Sequence, residues 1–303
     1  MQSDGNSGPG AARIEAQIQA SRLEAGLYLV ATPIGTARDI TLRALDVLNS
    51  ADLLAAEDTR VLRHLMSIHG LPLRERRIVA YHDHSADRHR QAILDALADG
   101  RSVAYASDAG TPLIADPGFR LAREAIGRGQ RVHAVPGASA VLAALTLSGL
   151  PSDRFLFAGF PPVPKGARTT WLRDLAAIDA TAVLFESPRR VKETLEILCE
   201  IDPDRDIVLC RELTKKFEEV MRGKPDDVAQ AIPDAGLKGE IVLLLDRPAP
   251  AVIGADAVRQ ALSVHLGAMS VKDAARTVAE ELGLARREVY QMALVMAAED
   301  RDG

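Results

Sequence analysis

The chain lacks a membrane-length apolar run, a cysteine framework, an excess of positive charge and the two common glycine-rich phosphate motifs. No apolar stretch is long enough to cross a bilayer. Residues 1–25 carry Gly, Ser, Gln and mixed charge but no apolar signal core. They read as a disordered leader, and a cytoplasmic location is the expectation. Only two cysteines occur in 303 residues, Cys199 and Cys210, both in apolar helical or strand contexts. They are expected as reduced core residues. Lys and Arg number 37 against 42 Asp and Glu, for a net charge of −5. Nothing global marks a nucleic-acid binder, so any RNA contact must come from a local basic patch. No GxGxxG lies between Leu27 and Leu48, and no GxxxxGK[ST] loop occurs, which excludes a standard Rossmann or P-loop enzyme. His82, Asp83, His84 and His89 are loosely spaced and joined by no cysteine or second carboxylate cluster. They read as a solvated loop or a substrate contact, and no metal is expected.

What is present is a globular composition, 47% hydrophobic and 26% charged, long for one domain and comfortable for two. From Gly26 to Gly149, strand-type runs alternate with helical patterns. The strands read as Gly26–Ala31, Asp52–Ala56, Arg77–Tyr81, Val103–Ala106 and Arg131–Val135. The helices between them run to Leu48 (capped by Asp39 or Thr41), to Ile68, over Ala86–Ala98, over Phe119–Gly127 and over Ala140–Leu147. Such alternation predicts a mainly parallel sheet with helices on both faces. From Pro151 a second unit holds strands at Arg154–Phe160, Thr181–Glu186, Asp206–Glu212, Phe217–Gly223 and Gly239–Asp246, with helices at Ala167–Ile178 and Val191–Ile201. More strands with fewer helices predict a mixed sheet. Beyond a proline-rich linker at Arg247–Pro250, the patterns Asp256–Leu266, Val271–Leu282 and Arg286–Ala298 outline a helix-turn-helix module turning at Gly283. The expected domains are 26–150, 151–248 and a helical tail over 249–303, with Lys272, Arg276, Arg286 and Arg287 on the tail.

Turn residues collect where the strands of the first unit end, as TPIG, AEDTR, HDH, SDAGTP and PGAS. In an open parallel sheet ligands sit beyond the carboxyl ends of the strands. The richest such stretch is SVAYASDAGTPLIADPG, Ser102 to Gly118. It exposes backbone groups that no large side chain covers, and Pro112 and Pro117 stiffen it. It reads as the floor of a site for a small polar molecule. Glu57 and Asp58 suit either a ribose diol or a helix N-terminus. Lys165, Arg168, Arg173, Arg189, Arg190, Lys215 and Lys216 make the second unit locally basic, as solvated faces or as a rim for phosphates.

Taken in order, TPIG with DIT, AEDTR, SDAGTPLIADPG, PGASA with SGLP, FESP, RELTKKFEE and KGEIVL resemble the ribosomal RNA small subunit methyltransferase I family. That family lies within the tetrapyrrole methylase superfamily, the class III methyltransferases. The resemblance covers roughly Gly26 to Pro248, and the tail is similar to the family's C-terminal segment. Small departures stand at Thr36, at Ser85 and at Arg189, where the family has Asn, Asn and His. The resemblance implies two α/β domains with a cleft between them, plus a small helical module. It implies S-adenosylmethionine (SAM) as methyl donor, and as substrate a cytidine 2′-OH in the decoding region of 16S rRNA in the 30S subunit. It also implies a homodimer. Carried over by motif, the donor's contacts fall at Pro33, Ile34, Gly35, Gly110, Thr111, Pro112, Ile114, Ser139 and Ala140, with Ser107 and Asp108 flanking them. A base for the 2′-OH would come from Asp58, His82 or Glu186, each ending a strand toward the cleft. Arg60, Arg189, Arg190, Lys215 and Lys216 would clamp RNA phosphates. The rival expectations are a same-fold enzyme acting on a tetrapyrrole, corrinoid or protein, and a ribosome-associated RNA binder without catalysis.

Overall fold

Five short apolar runs build the first sheet of the computed structural model, which describes residues 18–81, 87–249 and 255–299. They are β1 (Gly26–Val30), β2 (Leu53–Ala56), β3 (Ile78–Ala80), β4 (Ser102–Ala106) and β5 (Val132–Val135). Their order is β3-β2-β4-β1-β5 and every pairing is parallel. Central β4 is buried along its whole length, which is why it reads as an unbroken apolar run. Side chains alternate between the two faces. Tyr28, Val30, Leu54 and Ala104 pack on one side with Leu45 and Leu48 of α1 (Leu42–Ser50) and Leu62 of α2 (Thr59–Ile68). Leu27, Val103 and Tyr105 pack on the other with Ile93 and Leu97 of α3 (Asp87–Ala98) and Leu121 of α4 (Phe119–Gly127). Thr41, not Asp39, caps α1, accepting the N–H of Ala44 at 3.1 Å; Asp39 belongs to a 3-10 turn. Part of the expected leader is a correction. Gln19 donates its N–H to Asp46 of α1, Ile18 and Leu23 pack on the core, and Glu24 pairs with Arg131, so residues 18–25 lie against the first sheet.

The second sheet is mixed. Strands β6 (Phe155–Gly159), β7 (Thr181–Glu186), β8 (Ile207–Arg211), β9 (Glu219–Gly223) and β10 (Ile241–Leu245) take the order β6-β7-β10-β8-β9. Only β6 and β7 run parallel. Helix α5 (Ala140–Ser148) follows the first sheet in sequence but lays Val141, Ala144 and Leu145 on Val183, Val208 and Leu244 of the second. Ile34, in the turn after β1, joins the same apolar cluster, so that turn of the first sheet meets the packing of the second. The other face is covered by α6 (Lys165–Ala176), α7 (Val191–Ile201) and α8 (Pro225–Ala231). The sequence reading passed over α8, although Pro225 at its first position and Asp226 and Asp227 in its first turn are start signals.

Two side chains differ from expectation. Arg168 is buried, 1% exposed, and pairs with Glu193 at 2.6 Å, so it is no part of a phosphate rim. Cys210 is buried in β8, and burial pushes its thiol up to about 11; Cys199 on α7 is only half-buried. Both thiols are free.

The chain divides into two compact units between Pro248 and Ala249. The second holds α9 (Ala255–Leu266), α10 (Val271–Leu282) and α11 (Arg286–Glu299) around Val258, Leu262, Ala274, Ala275, Val278, Val289 and Ala293. Gly283 ends α10 in the left-handed region at φ 63°. Tyr290 of α11 is 36% exposed and stands outside this core. Among the described residues no helix is long and apolar enough to cross a membrane.

Candidate active site

The carboxyl ends of β1, β4 and β5 carry turns that are stitched to one another. Thr32, just past β1, and Gly110, in the loop after β4, exchange backbone hydrogen bonds of 2.9 and 3.0 Å. Thr32 donates its hydroxyl to the carbonyl of Ser107 at 3.0 Å, and Ser107 donates its own to the carbonyl of Gly110 at 2.6 Å. Thr111 donates to the carbonyl of Ala138, in the turn after β5, at 3.0 Å. Gly110 needs its glycine: φ is +81°, and a Cβ there would stand 3.2 Å from Ile34 Cγ2. Ser139 caps α5 and brings the start of that helix to the same edge.

Beyond Pro112 the loop is strained. Leu113 at φ 72° and Ala115 at φ 57° both sit in the left-handed region without being glycine. Tyr105 of β4 holds the far end by donating its hydroxyl to the carbonyl of Pro117 at 3.0 Å.

The facing wall comes from the second sheet. The turn after β8 reaches across to the TPIG turn, where Thr36 donates its N–H to Thr214 Oγ1 at 3.1 Å and its hydroxyl to the Thr214 carbonyl. Gly35 makes this approach possible, since a Cβ there would meet Lys215 Cγ and Thr214 Oγ1 at 2.6 Å. Lys215 bridges Glu212 and Glu240 at 2.9 Å each. Gly239 packs on the Glu212 carboxyl, which a Cβ would meet at 2.4 Å.

Between the walls lies a cavity of about 490 Å³. Its apolar surface comes from Ile34, Ile114, Val141, Phe160, Phe185 and Val242, and its charge is all of one sign, from Glu57, Asp108, Asp116, Glu186 and Glu240. Burial is the main cause lifting Asp108 above the usual carboxylate range. Burial, with the charges of Glu57, Asp108 and Glu240, pushes Asp116 up to about 7. Asp116 Oδ2 is shut off from solvent and has no hydrogen-bond partner among the described residues. Such a cavity suits a small ligand with apolar surface and positive charge.

Residues 26–229 match the model of the Tetrapyrrole (Corrin/Porphyrin) Methylases, and residues 251–297 match the RsmI C-terminal HTH domain. The chain is 46% identical to the ribosomal RNA small subunit methyltransferase I of Mesorhizobium japonicum, over 95% of this chain and 98% of that one. It is 38% identical to the protein of that name from Halalkalibacterium halodurans, over 88% and 93%. The chain belongs to the ribosomal RNA small subunit methyltransferase I family. Over 73% of its length the chain shares its fold with the uroporphyrin-III C-methyltransferase of Thermus thermophilus, solved with S-adenosylhomocysteine, at a TM-score of 0.51 and 20% identity, covering 97% of that chain. As a member of this family the chain is a methyltransferase whose donor is SAM.

Seen on this methyltransferase, the residues expected to hold the donor separate into two groups. Ile34, Asp108, Gly110, Thr111, Ile114, Ser139 and Ala140 line the cavity. Pro33, Gly35, Ser107 and Pro112 do not: Gly35 serves the contact between the sheets, Ser107 is buried and pins the loop, and Pro112 is buried beneath it. Among the expected bases, Asp58 does not line the cavity. It caps α2 by accepting the N–H of Arg60 at 2.8 Å and pairs with the Arg60 side chain, and those hydrogen bonds hold its carboxyl down to about 2. Glu186 lines the cavity but accepts from Ser187 N–H at 2.6 Å and Thr194 hydroxyl at 2.7 Å, and pairs with Arg190 at 2.9 Å. His82, with Asp83 and His84, lies outside the described residues. Among the expected phosphate clamps, Arg190 and Lys215 are tied to carboxylates and Arg60 to Asp58, whereas Arg189 and Lys216 are exposed and form no ion pair among the described residues. Sequence reasoning missed Asp116, Phe160, Phe185 and Glu240 as cavity residues. Three of these stood inside quoted motifs, which was the available signal.

Proposed function

We propose that this chain methylates the 2′-oxygen of a cytidine ribose in the decoding region of 16S rRNA, within the small ribosomal subunit. The observation that carries this reading is identity at 46% across nearly the whole of both chains with a curated ribosomal RNA small subunit methyltransferase.

The residues present fit SAM, judged on the cavity itself. The donor carries a sulfonium and an ammonium against one carboxylate, and the cavity's carboxylates, with the partnerless Asp116 oxygen among them, complement that net positive charge. Backbone groups of Thr111 and Ser139 are the ones placed to hold polar parts of it, and Phe160 and Phe185 to cover apolar parts. When bound, SAM supplies an already activated methyl group. The protein's work is then mainly to hold a hydroxyl in line with it and to exclude water. The stitched turns give that rigidity, since ligand docking orders little that is not already fixed. RNA phosphates are repelled by the cavity and drawn to exposed cations outside it. Arg189 and Lys216 in the first unit, and Lys272, Arg276, Arg286 and Arg287 on the tail, are exposed. A homodimer in the cytoplasm completes the reading. It is supported by exposed Phe155 and Leu156 on edge strand β6 and by Val163, 74% exposed.

Incubating the chain with unmethylated 30S subunits and labelled SAM, with naked tetrapyrroles and an unrelated protein as parallel acceptors, tests this. Label in a 2′-O-methylcytidine of 16S rRNA is expected. Label in a tetrapyrrole or protein alone, or SAM binding without transfer, contradicts it.

A further inference from the structure

We propose that Asp116 is the proton acceptor that activates the attacking hydroxyl. This rests on the reading of the site as a ribose 2′-O-methylation, in which a weakly nucleophilic hydroxyl must lose its proton within hydrogen-bond reach of a base.

The geometry reaches Asp116 from several directions. It lines the cavity, and its Oδ2 is enclosed with no partner among the described residues. Buried polar atoms are ordinarily paired, so a carboxylate that lines the cavity and has one enclosed oxygen without a partner among the described residues is an unsatisfied acceptor beside the ligand's place. The other carboxylates are engaged. Asp58 caps a helix and lies off the cavity lining, Glu186 is bound by Ser187, Thr194 and Arg190, and Glu240 by Lys215. Asp108 accepts the N–H of Asp58 at 2.9 Å. The backbone before Asp116 is held in a strained form at Leu113 and Ala115, and the segment after it is anchored by Tyr105. Backbone strain of this kind persists where surrounding structure over-determines the conformation, here aiming one side chain. The groups facing Asp116 are Glu57 from the end of β2, Asp108 from the β4 loop and Glu240 at the start of β10. With burial they favour its protonated form in the free protein. A bound cationic donor counters that field and favours the carboxylate when it is needed.

The step balances. The 2′-OH proton passes to the Asp116 carboxylate, the freed oxygen pair forms the new O–CH₃ bond, and the C–S⁺ bond breaks with its electron pair returning to sulfur. The products are the methylated ribose, neutral S-adenosylhomocysteine and a protonated Asp116 that later releases its proton to water.

The test compares wild type with Asp116→Asn and Asp116→Glu, using labelled SAM and unmethylated 30S subunits from pH 5.5 to 8.5. Wild-type kcat is expected to fall about tenfold per pH unit on the acid side. At saturating SAM, Asp116→Asn is expected to lose about 10²–10⁴-fold in kcat and the acid limb with it, with SAM affinity read separately by calorimetry. Asp116→Glu should recover part of the rate. A second readout needs no catalysis. Because the folded protein holds the Asp116 proton up to about 7, its contribution to stability is present below the unfolded carboxylate pKa and is lost as pH rises toward that value. The melting temperature of Asp116→Asn should therefore exceed wild type by a few degrees at pH 8, and the gap should close as pH falls to the unfolded carboxylate value of about 4. An Asn variant with near wild-type kcat at saturating SAM, an acid limb that survives in that variant, or a melting difference independent of pH overturns the assignment. A wild-type chain inactive on 30S subunits overturns the functional reading and this inference with it. An active wild type beside an active Asn variant overturns the inference alone.

Discussion

At Gly35 a single absent methyl group decides whether the two sheets can meet. A Cβ there would press on Lys215 Cγ and Thr214 Oγ1 at 2.6 Å and on the Leu213 carbonyl at 2.9 Å. Gly35→Ala is expected to lose about 1–3 kcal/mol in urea unfolding, because the neighbours include backbone that cannot simply rotate away. SAM affinity should weaken with it, since Ile34 in the same turn lines the cavity. Glu186 is the second instance. Its carboxylate is 0% exposed and held by two hydrogen-bond donors and Arg190. Glu186→Gln leaves Arg190 without its charge partner, and a loss of about 3–5 kcal/mol is the usual result of breaking a buried pair. A thermal melt with stability unchanged would show that the network contributes nothing. Asp58 carries a pH dependence of the opposite sign to Asp116. Its folded value, about 2, lies below the unfolded one, so its stabilisation is present above the unfolded carboxylate pKa and fades as pH falls through about 2.

Among the elements, the loop from β4 to α4 concentrates the constraints. Gly118 sits at φ +116°, and a Cβ would meet Tyr105 Cε1 at 2.8 Å and Leu113 Cδ2 at 2.9 Å. Gly118→Ala is expected to displace the loop, lowering SAM affinity more than global stability, as calorimetry beside a melt would show. This loop was legible in the sequence because its function is written in residue types that act locally. Gly, Pro and small polar residues after a β-type run mark a ligand edge whatever the rest of the chain does. The strands and most helices were legible for the same reason, as was the mixed second sheet. What was not legible depended on partners distant in sequence. Lys215 reads as a phosphate clamp until Glu240 is placed beside it, and Arg168 reads as a solvated cation until α7 brings up Glu193. Asp58 reads as a base until Arg60 turns back onto it. Asp116 is the converse. Nothing in its spacing says that no partner among the described residues reaches its inner oxygen. Helix α8 was missed because its seven residues are too few to display a period.

For the whole molecule, the main tension is an acidic chain proposed to act on RNA. It is resolved by separation, with carboxylates inside the cavity and exposed cations around it. Affinity for 30S subunits should therefore fall as salt rises. The double variant Arg189→Ala with Lys216→Ala is expected to lower the slope of log affinity against log salt by about 0.7 for each phosphate contact removed. An unchanged slope would take those residues off the RNA. The most direct measurement is nuclease digestion and mass mapping of 16S rRNA from cells lacking this gene, with and without the chain restored. A decoding-region cytidine should lose its 2′-O-methyl group in the deletion and regain it on complementation. An identical modification map in both strains would contradict the proposed function at its centre.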